Sequence, residues 1–179
     1  MAIVLHPNIK VFDVNRYLNV KQMKPAFERL PIYARNASHS IQFHKSNDVM
    51  KKSHQFYDRK MDPYIHSHFV DRSLQLFSEI ARIPNGAVVI MTLKRIFPGD
   101  KFDEEWEKLD VPTGVLCVEK ENMYGGLDQF KMLSNIHYSE IDYEISQGYL
   151  MSYDSIYHKT TPISNNYKDV IIYKSIFYS

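Results

Sequence analysis

Histidines, carboxylates, one thiol and paired basic residues are the groups in this chain able to do chemistry, and their spacing sorts them. His66 and His68 stand two apart on a predicted helix, so their side chains point away from each other and cannot close on one metal ion. Glu140, Asp142 and Glu144 alternate along a predicted strand and share one face, either mimicking a carboxylate site or forming a wet edge. The lone cysteine, Cys117, lies between Leu116 and Val118 and reads as a small buried hydrophobe, not a nucleophile. Lys51, Lys52, Arg59 and Lys60 are interleaved with His54, Phe56 and Tyr57, a mixture able to neutralise phosphates and stack bases, so a nucleic-acid partner is one expectation. No phosphate-binding loop, zinc-ligand spacing or Ser-His-Asp order occurs.

The elements that must carry these groups fall into a helical front and a strand-rich remainder. Asp13 can cap a short helix through Tyr17 and Leu18, and Pro25 opens a second turn through Leu30. Ser38 to His44 alternates as a strand. After Asp62-Pro63, the apolar residues Ile65, Phe69, Leu76, Phe77 and Ile80 recur at helical spacing until Pro84-Asn85-Gly86. Val88 to Phe97 is then a strand. Phe102 to Asp110 is a short acidic segment whose Phe102, Trp106 and Leu109 would share a helical face. Val115 to Glu119 is a strand with Leu127 to Met132 as its hairpin partner. Tyr149–Tyr153, Ile156–Lys159 and Val170–Phe177 complete the series. Short strands behind a helical front predict an α+β, mainly β, barrel or jelly roll with the N-terminal helices packed outside. A single domain is expected over 1–179, with 1–86 as the front and 87–179 as the core.

Composition bounds the classes. Apolar residues at 44% and charged residues at 24% are ordinary globular usage, so the chain should fold. No apolar run approaches the ~18 residues of a membrane span, the start lacks signal-peptide flanks, and Asn36-Ala37-Ser38 reads as a chance glycosylation pattern; a cytoplasmic, reducing location is expected. The net charge of +1 conceals 15 Lys+Arg against 8 Asp+Glu in residues 1–100, and 7 against 13 thereafter. Two opposed halves can hold each other in one fold, or the basic half can face an anion. Richness in Tyr, Asn, Lys and Ile fits an AT-rich genome such as a virus, placing the protein in host cytoplasm or virion in that case.

Four stretches in order carry a resemblance: Asn122-Met123-Tyr124-Gly125-Gly126; Tyr149 to Asp154; His158-Lys159-Thr160-Thr161-Pro162-Ile163; and Tyr167-Lys168-Asp169-Val170-Ile171-Ile172. Over residues 85–179 the chain resembles the small bacterial 2-oxoglutarate/Fe(II)-dependent dioxygenases that hydroxylate free amino acids. The resemblance implies a double-stranded β-helix (jelly-roll, cupin-like) fold. It also implies Fe(II) and 2-oxoglutarate as cofactors if the protein is active. Such enzymes hold iron with two His and one carboxylate, two of them from an early His-x-Asp, and grip the far carboxylate of 2-oxoglutarate with a cation. His158 matches the late histidine and Lys168 stands where the family has Arg. The early His-x-Asp has no histidine here: Glu105 to Asp110 offers Glu107 at the His position and Asp110 near the carboxylate position.

A His158/Glu107/Asp110 set would be an oxygen-rich metal site, favouring Mn or Mg over a tuned Fe(II). Lys168 would anchor the co-substrate as a point charge without Arg's two-pronged geometry. Three functions follow. The favoured one is a degenerate relative with weak or no oxygenase activity that serves as a binding or structural module. The alternatives are an active hydroxylase of an amino acid or side chain, and a nucleic-acid-binding accessory protein using the basic N-terminal half.

Overall fold

Alternation of side chains along the long strands divides the molecule into two cores. In the computed structural model, residues 9–30, 38–47, 49–53, 64–99, 106–120, 123–132, 137–151 and 156–176 are described. The strands are β1 (Ile9–Asp13), β2 (Ser38–Ser46), β3 (Val49–Ser53), β4 (Val88–Ile96), β5 (Glu107–Leu109), β6 (Thr113–Glu119), β7 (Tyr124–Gly125), β8 (Asp128–Met132), β9 (Ser139–Ile141), β10 (Gln147–Met151), β11 (Ile156–Thr160), β12 (Ile163–Ser164) and β13 (Lys168–Ile176). A 3-10 turn (Val20–Met23) and two α-helices, α1 (Lys24–Glu28) and α2 (Ser67–Ile80), complete the described elements. A seven-stranded sheet runs β1-β10-β6-β13-β4-β2-β3, a four-stranded sheet runs β5-β11-β8-β9, and β12 pairs with β7.

Successive residues of a strand point to opposite faces, so β13 and β6 each serve both cores. Ile171 and Tyr173, with Leu116 and Val118, join Phe69, Leu74 and Phe77 of α2 and Phe27 of α1 in the outer core. Val170, with Val115 and Cys117, joins Leu109, Phe130, Tyr149 and Ile156 between the two sheets. The chain therefore forms a double-stranded β-helix with helices packed outside the larger sheet. The helix expected after Asp62-Pro63 over Ile65, Phe69, Leu76, Phe77 and Ile80 is present but starts later, at Ser67, leaving Ile65 outside it. His66 is its N-cap, accepting from the Phe69 N–H at 3.1 Å, so His66 serves the helix start and His68 follows just inside it.

Four local expectations are corrected. Asp13 does not begin a helix: it ends β1, which pairs with β10, and its Oδ1 accepts from Asn15 N at 2.8 Å in a turn. The acidic segment is not helical over its described part, because Glu107–Leu109 is recruited as a strand by β11; residues 100–105 lie outside the described part. Asp128–Met132 does not pair with Thr113–Glu119; β8 sits in the small sheet between β11 and β9, and β6 in the large one between β10 and β13. Crossing between sheets replaces the local hairpin. Of the alternating carboxylates only Glu140 lies in a strand. Asp142 and Glu144 follow it and face Lys120, at 2.8 and 3.9 Å, as an exposed rim of ion pairs. No described helix is long and apolar enough to cross a membrane.

Candidate functional site

The inner faces of both sheets enclose a cavity of about 210 Å³. Its floor is polar, with Asp128, His158, Thr160 and Lys168, and its walls include Leu109, Val115, Met151 and Ile172, with Tyr143 and Tyr149 as aromatic sides. Strand register explains who is inside. β8 turns Asp128 and Phe130 inward, β11 turns Ile156, His158 and Thr160 inward, and β13 turns Lys168, Val170 and Ile172 inward.

Asp128 organises the floor. One carboxylate oxygen, Oδ1, is bonded to His158 Nε2 at 2.9 Å and accepts from Thr160 Oγ1 at 3.0 Å. The other, Oδ2, lies 3.9 Å from the Lys168 ammonium and, among the described residues, has no hydrogen-bond partner. Lys168 donates to the Gly126 carbonyl at 2.8 Å and lies 4.3 Å from the centre of the Tyr143 ring. Both ionic residues are only 3% exposed. Burial raises the Asp128 carboxyl, but the His158 hydrogen bond, then the Lys168 charge, overcome it and hold the group below the ordinary carboxylate value. Burial, followed by the negative charge of Asp128, pushes the Tyr143 and Tyr149 hydroxyls well above theirs. Both tyrosines therefore stay neutral donors. Burial also raises the Cys117 thiol to about 12, which keeps it protonated and inert.

The turn before β8 makes this possible. Gly125 and Gly126 both have positive φ, +76° and +64°, and a Cβ on Gly125 would lie 2.1 Å from the Pro162 carbonyl oxygen. Only glycine fits there, and the turn delivers the Gly126 carbonyl to Lys168.

His158 and Lys168 thus share one cavity, and Glu107 joins them: it pairs with His158 across β5 and β11 and lines the same space. Asp110 does not. It is exposed, beyond the end of β5, and the inward residue two after Glu107 is Leu109. An early His-x-Asp in that register reads Glu107-Lys108-Leu109, because alternation turns every second residue inward. Among the described residues no cluster of three His, Cys, Asp or Glu side chains could hold a metal. Among the described residues the donor set does not fit the iron centre that the resemblance implies: an imidazole already bonded to Asp128, one carboxylate across from it, and a leucine at the next inward position. Lys51 and Lys52 lie on β3, but their side chains, like residues Arg59 and Lys60, are outside the described part.

No protein-family model matches the sequence, and no curated protein matches it. Solved structures do. IDO from Bacillus thuringiensis superposes with a TM-score of 0.76 at 12% identity, over 97% of this chain and 92% of that one. A 2OG-Fe(II) oxygenase family oxidoreductase from Burkholderia pseudomallei gives 0.65 at 10%, over 94% and 84%. The chain has the fold of the 2-oxoglutarate/Fe(II) oxygenases. The oxygenase fold extends to a viral example, the collagen prolyl hydroxylase of Paramecium bursaria Chlorella virus-1, with a TM-score of 0.55 at 11% identity over 96% and 97% of the two chains.

Asp128, Tyr143 and Tyr149 escaped the sequence reading. A signal for Asp128 existed: it alternates with Phe130 along a strand, a place where an aspartate is rare and needs a partner. Nothing local marks the two tyrosines among 13.

Proposed function

We propose that this chain is a degenerate relative of the oxygenases whose fold it has, with its cavity kept as a small-molecule binding module and its iron site lost. One observation carries the reading: the Asp128 carboxylate bonds His158 through one oxygen and faces Lys168 with the other. In a working oxygenase the corresponding imidazole would be bound to iron and the corresponding cation to a carboxylate of 2-oxoglutarate, as the family resemblance implies. Here a side chain of the protein itself holds both. An incoming dicarboxylate would meet a buried negative charge where it needs a free positive one, which costs several kcal/mol unless Asp128 moves or protonates. Leu109 in place of a ligating carboxylate weighs the same way.

The experiment is calorimetric titration of Mn(II) with 2-oxoglutarate into the wild type and His158→Ala. The expected result is no His158-dependent heat. Saturable binding that His158→Ala abolishes would restore the hydroxylase reading.

A further inference from the structure

The ligand class of the cavity can be read from its charges, on the assumption that the cavity is a binding site and not an iron centre. Asp128 Oδ2 is a buried acceptor with no described hydrogen-bond partner, and Lys168 Nζ is a buried donor 3.9 Å from it. One of the three ammonium protons is spent on the Gly126 carbonyl, so the group retains donors. Oδ1 is already engaged by His158 and Thr160. The floor is thus a donor and an acceptor side by side, close to neutral as a pair, with the neutral Tyr143 and Tyr149 hydroxyls beside the carboxylate as further donors.

Either sign of ligand charge is penalised there. An anionic head would meet the buried Asp128 and a cationic head the buried Lys168, while Glu107 on the same wall is exposed and screened by water. Neither could recover its hydration from walls built of Leu109, Val115, Met151 and Ile172. The other wall lysines, Lys94 and Lys174, are half-buried and reach water that screens them. Lys159 turns its ammonium out to the Trp106 ring, 5.5 Å from its centre. At about 210 Å³ the space exceeds the ~150 Å³ cavity that accepts benzene in an engineered protein, so a ring-sized body fits.

We propose that the cavity binds an uncharged small molecule through a primary carboxamide, whose N–H donates to Asp128 Oδ2 and whose carbonyl accepts from Lys168 Nζ. A carboxamide carries its donor and acceptor on one carbon, so it can engage both groups together without bringing a net charge into the cavity.

Three probes with the same ring and different heads test this by calorimetry near neutral pH: benzamide, benzoate and benzylamine. Benzamide should bind the wild type at least about tenfold more tightly than either charged probe. Asp128→Asn, which leaves Lys168 uncompensated, should move the preference to benzoate; Lys168→Met should move it to benzylamine. Circular dichroism verifies that each variant is folded, and the wild-type series decides alone if either is not. Benzoate or benzylamine binding the wild type best, no binding of any probe, or a preference unmoved in folded variants would overturn the proposal. Failure here with a silent Mn(II)/2-oxoglutarate titration would remove only the carboxamide; His158-dependent metal binding would remove the underlying reading as well.

Discussion

Asp128 and His158 are diagonal neighbours on the paired strands β8 and β11, where Asp128 lies opposite Thr160 and His158 opposite Phe130, with carboxylate and imidazole 2.9 Å apart and the carboxylate almost wholly buried. Asp128 thus holds the imidazole in an internal hydrogen bond through one oxygen and faces Lys168 with the other.

Removing the carboxylate should therefore be expensive. Asp128→Ala leaves the Lys168 ammonium buried without its counter-charge and deprives His158 of its partner. A loss of about 3–5 kcal/mol is expected in urea denaturation. A loss below about 1 kcal/mol would mean the network is relaxed by water.

Acid should expose the same residue. The folded carboxyl of Asp128 is held below its ordinary value, so its contribution is present above the unfolded value of about 3.9 and is lost as pH falls through the folded one. Asp169 has the opposite sign: burial, outweighing Arg95, raises its carboxyl, so protonation at falling pH favours the folded form. The stability gap between wild type and Asp128→Asn should thus shrink below about pH 4. A gap constant from neutral pH to about pH 2 would contradict the assignment.

The bidentate pair of Arg95 and Asp169, with both nitrogen–oxygen contacts at 2.8 Å, ties β4 to β13 beside the cavity strands. The guanidinium also lies 3.9 Å from the centre of the Tyr167 ring. Arg95→Ala should cost about 3–5 kcal/mol by stranding a carboxylate that is 1% exposed. Arg95→Lys should recover only part of it, because a lysine gives neither the fork nor the planar stack. Equal stability of the two variants would mean that the charge and the aliphatic stem contribute nothing and that the fork and stack carry the whole loss.

Gly125→Ala should destabilise by about 1–3 kcal/mol, since the new Cβ would collide with the Pro162 carbonyl at positive φ. It should also loosen the Gly126 carbonyl from Lys168, weakening whatever the cavity binds. Unaltered thermal unfolding would show that the turn rearranges freely.

How far the sequence reached follows from which signals are local. Helical spacing from Ile65 to Ile80 and the runs Val88–Phe97 and Val170–Phe177 are set by neighbours along the chain, so β4, β13 and the end of α2 are legible nearly to the residue, while the His66 cap sets the start of α2 later than Asp62-Pro63 implies. Glu107–Leu109 was not, because its strand state comes from pairing with Ile156–His158, some fifty residues on. The same non-local pairing set β8 beside β11 and defeated the hairpin expected with Val115–Glu119. His158 and Lys168 were found through the order of motifs around them. Asp128 was overlooked because its importance lies in meeting both, a relation that exists only once the sheets face each other.

Restoring the ligands that β5 lacks tests the proposed loss of the iron site most directly. Glu107→His with Leu109→Asp rebuilds a His-x-Asp opposite His158, and anaerobic calorimetry with Fe(II) compares it with the wild type. Saturable Fe(II) binding is expected in the double variant, and none that depends on His158 in the wild type. Wild-type binding as tight as that of the double variant, and abolished by His158→Ala, would contradict the proposed loss.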